Sequence, residues 1–408
     1  MNIKLYRFVD RFVGVPICGV LSGFSRLRPK PQETIPPRSI LIILLSEMGT
    51  MVLATSMFER LKQKYPDASL HLLLFARNRE AAELLRVVPA VNVLSLDDRS
   101  LFSLARTTLN VLRRLWALQI DVVIDCELFA RVSSVLSYLS GSPIRVGFHR
   151  YNQEGLYRGS FLTRPVLYNP YRHISMQLLT LADAIESRTV PISKMLPVLL
   201  TELPAAIVLP EREVQDRITR LHADFPALHE RPLVLVYASG GILPIRAWPV
   251  DYFKQLCAEL LRDGYAIGII GLKQDISLGD SIVAHCRDPH CVNLSGYTDS
   301  MRHLLALFCR ASLLIANDGA PGQFAAATAM QAIVLFGPES PVLYGPQAPN
   351  VHSMHVPLPC SPCLTAYNHR NSPCDGDNQC LKQIPPEQVL QKARQLLSAT
   401  SPPRIVPR

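Results

Sequence analysis

Along this chain, short runs that are apolar at every position alternate with stretches whose apolar residues recur every three or four positions. SILIILLS at 39–46, LHLLLF at 70–75, VNVLSL at 91–96 and IDVVIDC at 120–126 predict strands. Between them the helical period predicts helices over 51–64, 77–86, 101–118 and 129–140. The first carries Ala54, Phe58 and Leu61 on one face and is closed by Pro66; the last stops at Gly141. Strands with no polar face are covered on both sides, as in a parallel sheet between two layers of helices. Prolines at 191, 197, 204 and 210 interrupt the pattern and read as a linker. The pattern then resumes with strands LVLVYA, YAIGIIG, LLIAN and AIVLFG and helices over 250–262, 276–287, 300–310 and 321–330. A short amphipathic helix at 386–398 is expected to pack back across the linker.

The expected fold is therefore α/β: two facing Rossmann-like doubly wound domains, with the carboxyl ends of both sheets on a shared interdomain cleft, where open α/β sheets bind ligands. The segments are 1–38, an N-terminal piece and spacer; 39–200, the first domain; 201–385, the second with a Cys-rich tail; and 386–408, a C-terminal helix and tail. With 408 residues, 48% of them hydrophobic, the chain has enough apolar side chains for two cores.

A net charge of +9 favours anionic partners. No dense Lys/Arg block or aromatic-interleaved basic stripe is present, so nucleic acid is not expected. Ten cysteines are too few for a disulfide scaffold at this length, and several sit in core-like runs, which suits a reducing cytosol. The apolar stretch 12–24 is flanked by Lys4, Arg7 and Arg11 on one side and Arg26, Arg28 and Lys30 on the other. It falls short of the roughly 20 residues that span a bilayer and lacks a cleavage site. Two readings stand: a helix lying on an anionic membrane surface, or an ordinary docking helix. On the first, removing 1–30 releases a soluble, intact protein.

Candidate chemistry gathers at the predicted strand ends. LLSEMGTMVLAT delivers Glu47, Gly49 and Thr50, and IDCELFAR delivers Glu127 and Arg131. Two acids sharing one site suit acid–base work. The plainer alternatives are a tight turn at Gly49, Asp125 as a helix cap, and a surface pair of Glu127 with Arg131. RVGFHRYNQEGLYRG and NPYRHIS hold Arg145, His149, Arg150, Glu154, Arg158, Arg172 and His173, read as a basic, aromatic loop for sugar contacts or a solvated one. In YASGGILPIRAWP, Ser239, Gly240 and Gly241 follow a strand and Arg246 precedes a helix, which suits a diphosphate. In LLIANDGAPGQFAAAT, Asp318 caps a helix or holds a sugar hydroxyl, beside Gly319, Ala320 and Gln323. Cys360, Cys363, Cys374 and Cys380 are spaced for a structural Zn²⁺ site, two disulfides or free thiols; no catalytic metal is expected. No G-x-G-x-x-G follows a strand, which argues against a nicotinamide dehydrogenase.

Taken together, LLSEMGTMVLAT with LKQKYPDA, IDCELFAR, GSPIRVGF, IRAWPVDYF, NDGAPGQFAAAT, LFGPESPVLYGP and the CSPC…CLKQIPPEQV tail resemble glycosyltransferase family 9, the heptosyltransferases of lipopolysaccharide core assembly. The resemblance runs from about 39 to 395. It implies a GT-B fold and an ADP-activated heptose-like donor bound in the second half by Ser239, Gly240, Gly241, Arg246, Asp318, Gly319, Ala320 and Gln323. It also implies a glycolipid or polysaccharide acceptor in the first half, near Gly49, Thr50, Arg131, Arg145 and Glu154. Transfer would invert the anomeric carbon without metal or other cofactor, at the inner face of the cytoplasmic membrane. Two positions depart from the family. Thr50 stands where the family places the aspartate that deprotonates the acceptor, so Glu47, with Glu127 in reserve, is the expected base. The donor loop D-[ST]-G-P-x-H reads Asp318, Gly319, Ala320, Pro321, Gly322, Gln323. A non-catalytic relative that binds a sugar nucleotide or glycan is the first alternative, and a nucleotide-sugar epimerase of similar architecture the second.

Overall fold

Twelve strands form two six-stranded parallel sheets among the residues described by the computed structural model, which are 3–27, 35–45, 48–148, 157–187, 207–365 and 370–399. The first sheet contains β1 (Ser39–Ile43), β2 (Ser69–Phe75), β3 (Val93–Leu96), β4 (Val122–Asp125), β5 (Ile144–Phe148) and β6 (Arg164–Val166) in the order 3-2-1-4-5-6. The second repeats that order with β7 (Leu233–Tyr237), β8 (Ala266–Gly271), β9 (Cys291–Ser295), β10 (Leu313–Asn317), β11 (Ala332–Leu335) and β12 (Val351–Met354). Strand order reverses between β1 and β4 and again between β7 and β10. At such a switch point the loops diverge to opposite faces and leave a crevice at the carboxyl ends. Registers pair Ile43 with Asp125 and Ala316 with Tyr237, so each sheet brings two loops out side by side at its switch point.

The chain divides into two compact units, Met1–Glu202 with Ala366–His369, and Leu203–Thr365 with Arg370–Arg408. The central strands β1, β4, β10 and β11 are buried at every position, as their unbroken apolar runs require. The strands that the apolar pattern missed, β5, β6, β9 and β12, all sit at or next to sheet edges. There one face is free to be polar and a proline such as Pro165 is tolerated. Helix Leu101–Leu118 matches its prediction, started by Ser100 accepting from the Ser103 N–H. The helix expected over 51–64 is two, Met48–Leu53 and Thr55–Lys64. The Thr55 hydroxyl bonds the Val52 carbonyl at 2.8 Å, competing with the ladder at the junction. The closing helix, Pro386–Ala399, is expected to pack across the linker, which lies largely outside the described residues. It buries Val389, Leu390, Ala393 and Leu397 in the core of the second unit beside helix Val250–Arg262.

The N-terminal segment departs from expectation in length and in attachment. Helices Ile3–Phe12 and Gly14–Leu27 nearly continue one another, with Val13 donating to Val9 and Ile17 to Val13. Pro16 lacks the N–H that would reach Phe12, which explains the break. Together they give a 20-residue apolar stretch, Phe8–Leu27, rather than the shorter one read from sequence. One side is docked: Cys18 packs in a cluster with Tyr138 and Phe161, and the Ser22 hydroxyl accepts from the Tyr157 hydroxyl and the Ser160 N–H. Burial pushes the Cys18 thiol up to about 11. Asp10 accepts from both the N–H and the guanidinium of Arg131 at 2.8 Å. Removing 1–30 would strip these partners from the first unit, so the segment is not a detachable tail. Asp10→Ala alone is expected to cost about 1–3 kcal/mol in chemical denaturation, because it leaves a buried Arg131 charge without its carboxylate.

Candidate functional site

In the first unit the β1/β4 switch point is built from backbone clamps. After β1 the chain continues through Leu44 and Leu45, both buried. The Leu45 N–H donates to Glu127 Oε1 at 2.7 Å, and its carbonyl accepts from Asn78 at 2.8 Å. Glu127, which leaves β4, and Asn78, which follows β2, thus fix the exit of β1 from both sides. Gly49 and Thr50 lie half-buried in the first turn of helix Met48–Leu53, just beyond this point. Glu47 and Glu154, with His149 and Arg150, lie outside the described residues.

Several residues read as surface chemistry prove to be framework. Asp125 does not cap the next helix, which starts only at Arg131 with Ala130 in the cap position. Instead Asp125 is buried against the guanidinium of Arg158 and the hydroxyl of Ser133, and accepts from the Glu127 N–H at 3.1 Å. Burial pushes its carboxyl above the usual range, and the Arg158 charge opposes that shift. The guanidinium of Arg158 also bonds the carbonyls of Glu127 and Ala130, so it holds the whole β4 loop. Glu127 and Arg131 do not form the expected surface pair, since Arg131 turns to Asp10 and the Tyr157 carbonyl. Arg145 lies near the amino end of β5. It donates to the carbonyls of Phe161 and Ser142 and stacks over Tyr138, with its pKa lowered by burial. His173 caps helix Ile174–Asp183. The supposed basic loop is therefore, in its described part, an edge of the sheet with Arg145 and Arg158 turned inward, while Arg172 is exposed.

In the second unit the β7 and β10 loops meet at the switch point. The Ser239 hydroxyl donates to Asp275 at 2.8 Å and accepts from the Gly241 N–H at 3.1 Å. Gly240 must be glycine, because a Cβ there would lie 2.8 Å from the Leu243 carbonyl. Gly241 takes φ +61, where a side chain is strained. Asn317, fully buried at the end of β10, accepts from the Trp248 N–H and donates to the Ala238 carbonyl. It locks the two loops together. Arg246 reaches Asp318 at 3.3 Å, and its buried Nε has no hydrogen-bond partner. Asp318 does not cap the helix after it, where Gly319 holds the cap position. The Tyr237 ring lies between the two glycine loops: a Cβ on Gly319 would touch its ring edge at 3.5 Å, and one on Gly241 its hydroxyl at 3.3 Å. Burial raises the Tyr237 phenol, so it stays a neutral donor. Ala320 opens helix Ala320–Ala326. In that helix Gln323 donates to the Tyr344 carbonyl at 2.6 Å, while its buried Oε1 has no partner.

Ser239, Gly240, Gly241, Arg246, Asp318 and Gly319 are thus gathered around one point, with Ala320 and Gln323 following on the next helix. Sequence reading missed Tyr237, Asp275 and Asn317. A buried asparagine closing an otherwise apolar strand, as in LLIAN, is the signal that was available for the last.

The cysteine tail plays a different part. None of the ten cysteines is in a disulfide. Among the described residues no three His, Cys, Asp or Glu side chains gather closely enough to hold a metal. The C-x2-C segment instead folds onto the LFGPES turn through its backbone. The N–H groups of Cys363 and Leu364 both donate to the Pro338 carbonyl, and the Ser361 hydroxyl to that of Gly337. Beside this turn buried Glu339 lies 3.3 Å from Arg370, which stacks over Tyr344.

The model of glycosyltransferase family 9 (heptosyltransferase) matches residues 108–372. Lipopolysaccharide heptosyltransferase 2 of Salmonella typhimurium is 23% identical, with 88% of this chain and 98% of that protein covered. Two solved structures share the fold. One is the ADP-heptose lipopolysaccharide heptosyltransferase II of Escherichia coli, with TM-score 0.66, 20% identity, and 88% and 99% of the two chains covered. The other is a glycosyltransferase family 9 protein of Veillonella parvula, with TM-score 0.68, 18% identity, and 89% and 98% covered. A parallel α/β fold of two units, two switch points each carrying polar loops, and a family match over 108–372, which takes in most of the second unit and the later part of the first, lead to one conclusion: the chain belongs to glycosyltransferase family 9, the heptosyltransferases.

Proposed function

We propose that the chain transfers a heptose-like sugar, with inversion, from an ADP-activated donor to a lipopolysaccharide-core or related envelope glycan, at the cytoplasmic face of the membrane. The observation that carries the donor half is Arg246, whose buried Nε lacks a partner beside the glycine turn of the β7 loop. A guanidinium with an unused donor, next to backbone N–H groups that no Cβ crowds, is suited to a diphosphate. Neutralising that leaving group is the largest electrostatic task in such a transfer. In this reading Asp318, paired with Arg246, accepts from a sugar hydroxyl of the donor. Glu47, or failing it Glu127, takes the acceptor proton. The reading requires no metal or cofactor beyond the donor itself.

Calorimetry with ADP and ADP-heptose tests it. Arg246→Ala is expected to weaken binding by about 1.5–3 kcal/mol, roughly 10- to 150-fold. Arg246→Lys should recover only part, because the planar fork is lost. Unchanged affinity in Arg246→Ala would remove this residue from the site. One observation favours a second reading, a relative that binds a sugar nucleotide without turning it over. Gln323 occupies the donor-loop position with its amide committed to the Tyr344 carbonyl.

A further inference from the structure

The N-terminal helices carry one docked side and one bare side. Val13, Ile17, Val20, Phe24 and Leu27 follow one another at intervals of four, three, four and three residues, which is a single face of a helix. All five are exposed, Leu27 at 82% and Val20 at 59%, and Phe8 and Phe12 extend the apolar surface before the break. Cys18 and Ser22, on the opposite side, are the buried positions of the second helix. An apolar stripe of this length beside water is not an ordinary surface, and something covers it.

The charges say what. Residues 1–30 contain six basic residues and a single acid, Asp10. That acid is turned inward and held by Arg131. Arg11 and Arg26, at the two ends of the bare stripe, are exposed. The outward face is therefore apolar along its length and cationic at its ends, with its only negative charge withdrawn, a pattern complementary to acyl chains beneath anionic headgroups. The stretch Phe8–Leu27 is long enough to cross a bilayer. Crossing would require breaking the Asp10–Arg131 pair and pulling Ser22 away from Tyr157 and Ser160. It would also place Asp10 and Arg11 in hydrocarbon, which is expensive.

We infer that the helices of residues 3–27 lie in the plane of an anionic bilayer, with Val13, Ile17, Val20, Phe24 and Leu27 in lipid while Cys18, Ser22 and Asp10 stay fastened to the first unit. The docking contacts make this surface part of the folded unit, so the β4 loop held by Arg131 and Arg158 keeps a constant orientation to the membrane. The inference deepens the proposed membrane-surface function, but it is read by lipid binding rather than by sugar transfer, so either can fail alone.

The test is co-sedimentation of the full chain with phosphatidylcholine vesicles made with and without phosphatidylglycerol. Binding is expected only to the anionic vesicles, weakening with salt and released by alkaline carbonate. Val20→Glu/Phe24→Glu changes two exposed positions, so thermal unfolding should match the wild type while vesicle binding falls about tenfold or more. Equal binding by this variant overturns the assignment, as does equal binding to neutral vesicles. Resistance to carbonate would make the stretch a span. A concentration-dependent dimer that the variant disrupts, with no vesicle binding by the wild type, would give the stripe to a second copy of the chain.

Discussion

Glu47→Gln is expected to lower kcat by about 10²–10⁴-fold while donor affinity stays nearly unchanged, the signature of a lost general base. A sugar hydroxyl is too weak an acid to attack unaided, and the Thr50 side chain has no basicity near neutral pH. Glutamine keeps the size and hydrogen bonding of Glu47 and removes only its capacity to take a proton. Of the two acids, Glu127 is the one among the described residues. Glu127 is buried and spends one carboxylate oxygen on the Leu45 N–H, so it already has the task of fixing the exit of β1. Glu47 follows that fixed point by two residues. The rates of Glu47→Gln and Glu127→Gln, measured with ADP-heptose and a core acceptor, decide between them. A fully active Glu47→Gln beside a crippled Glu127→Gln would transfer the role to Glu127, and full activity in both would end the acid–base assignment. If the wild type transfers nothing with any donor–acceptor pair while Thr50→Asp does, the chain is a binding module derived from a transferase.

Arg158→Met should destabilise the first unit by about 3–5 kcal/mol, the cost of leaving a buried charge without its partner. Arg158 and Asp125 are both almost entirely buried, and the same guanidinium holds the carbonyls of Glu127 and Ala130. The pH dependence has a definite sign. Burial raises the folded pKa of Asp125 above its usual value, and in the variant the opposing Arg158 charge is gone. The folded state then binds more protons than the unfolded one. Stability is therefore gained as pH falls through the raised pKa toward the ordinary carboxylate range, and lost as pH rises. Urea unfolding at pH 5 and pH 7 checks this. A variant no more stable at pH 5 would show that Asp125 is not the stranded group, and Asp125→Asn in the same background should recover stability at pH 7.

The apolar runs alone determined that this is an α/β chain with two parallel sheets, because a strand buried on both faces has no choice but to be apolar throughout. They also located the loops after β1, β4, β7 and β10, since glycine, acid and arginine cluster where an apolar run ends. Family resemblance was legible for the same reason: turns such as SGG and LFGP are dictated by close backbone approach, and that constraint is written locally. The direction in which a polar side chain points is not local. Asp125 reads as a helix cap and Arg131, Arg145 and Arg158 as surface chemistry, yet all four are consumed by partners 16 to 121 residues away. Asn317 and Asp275 looked unremarkable until folding set them against loops from other strands. The C-x2-C segment carried a metal-like spacing, but the fold uses its backbone to close the LFGPES turn. Periodicity depends on neighbours a few positions apart and survives in one dimension. Partner choice between charged groups depends on which distant loops share a switch point, and only the tertiary structure decides that.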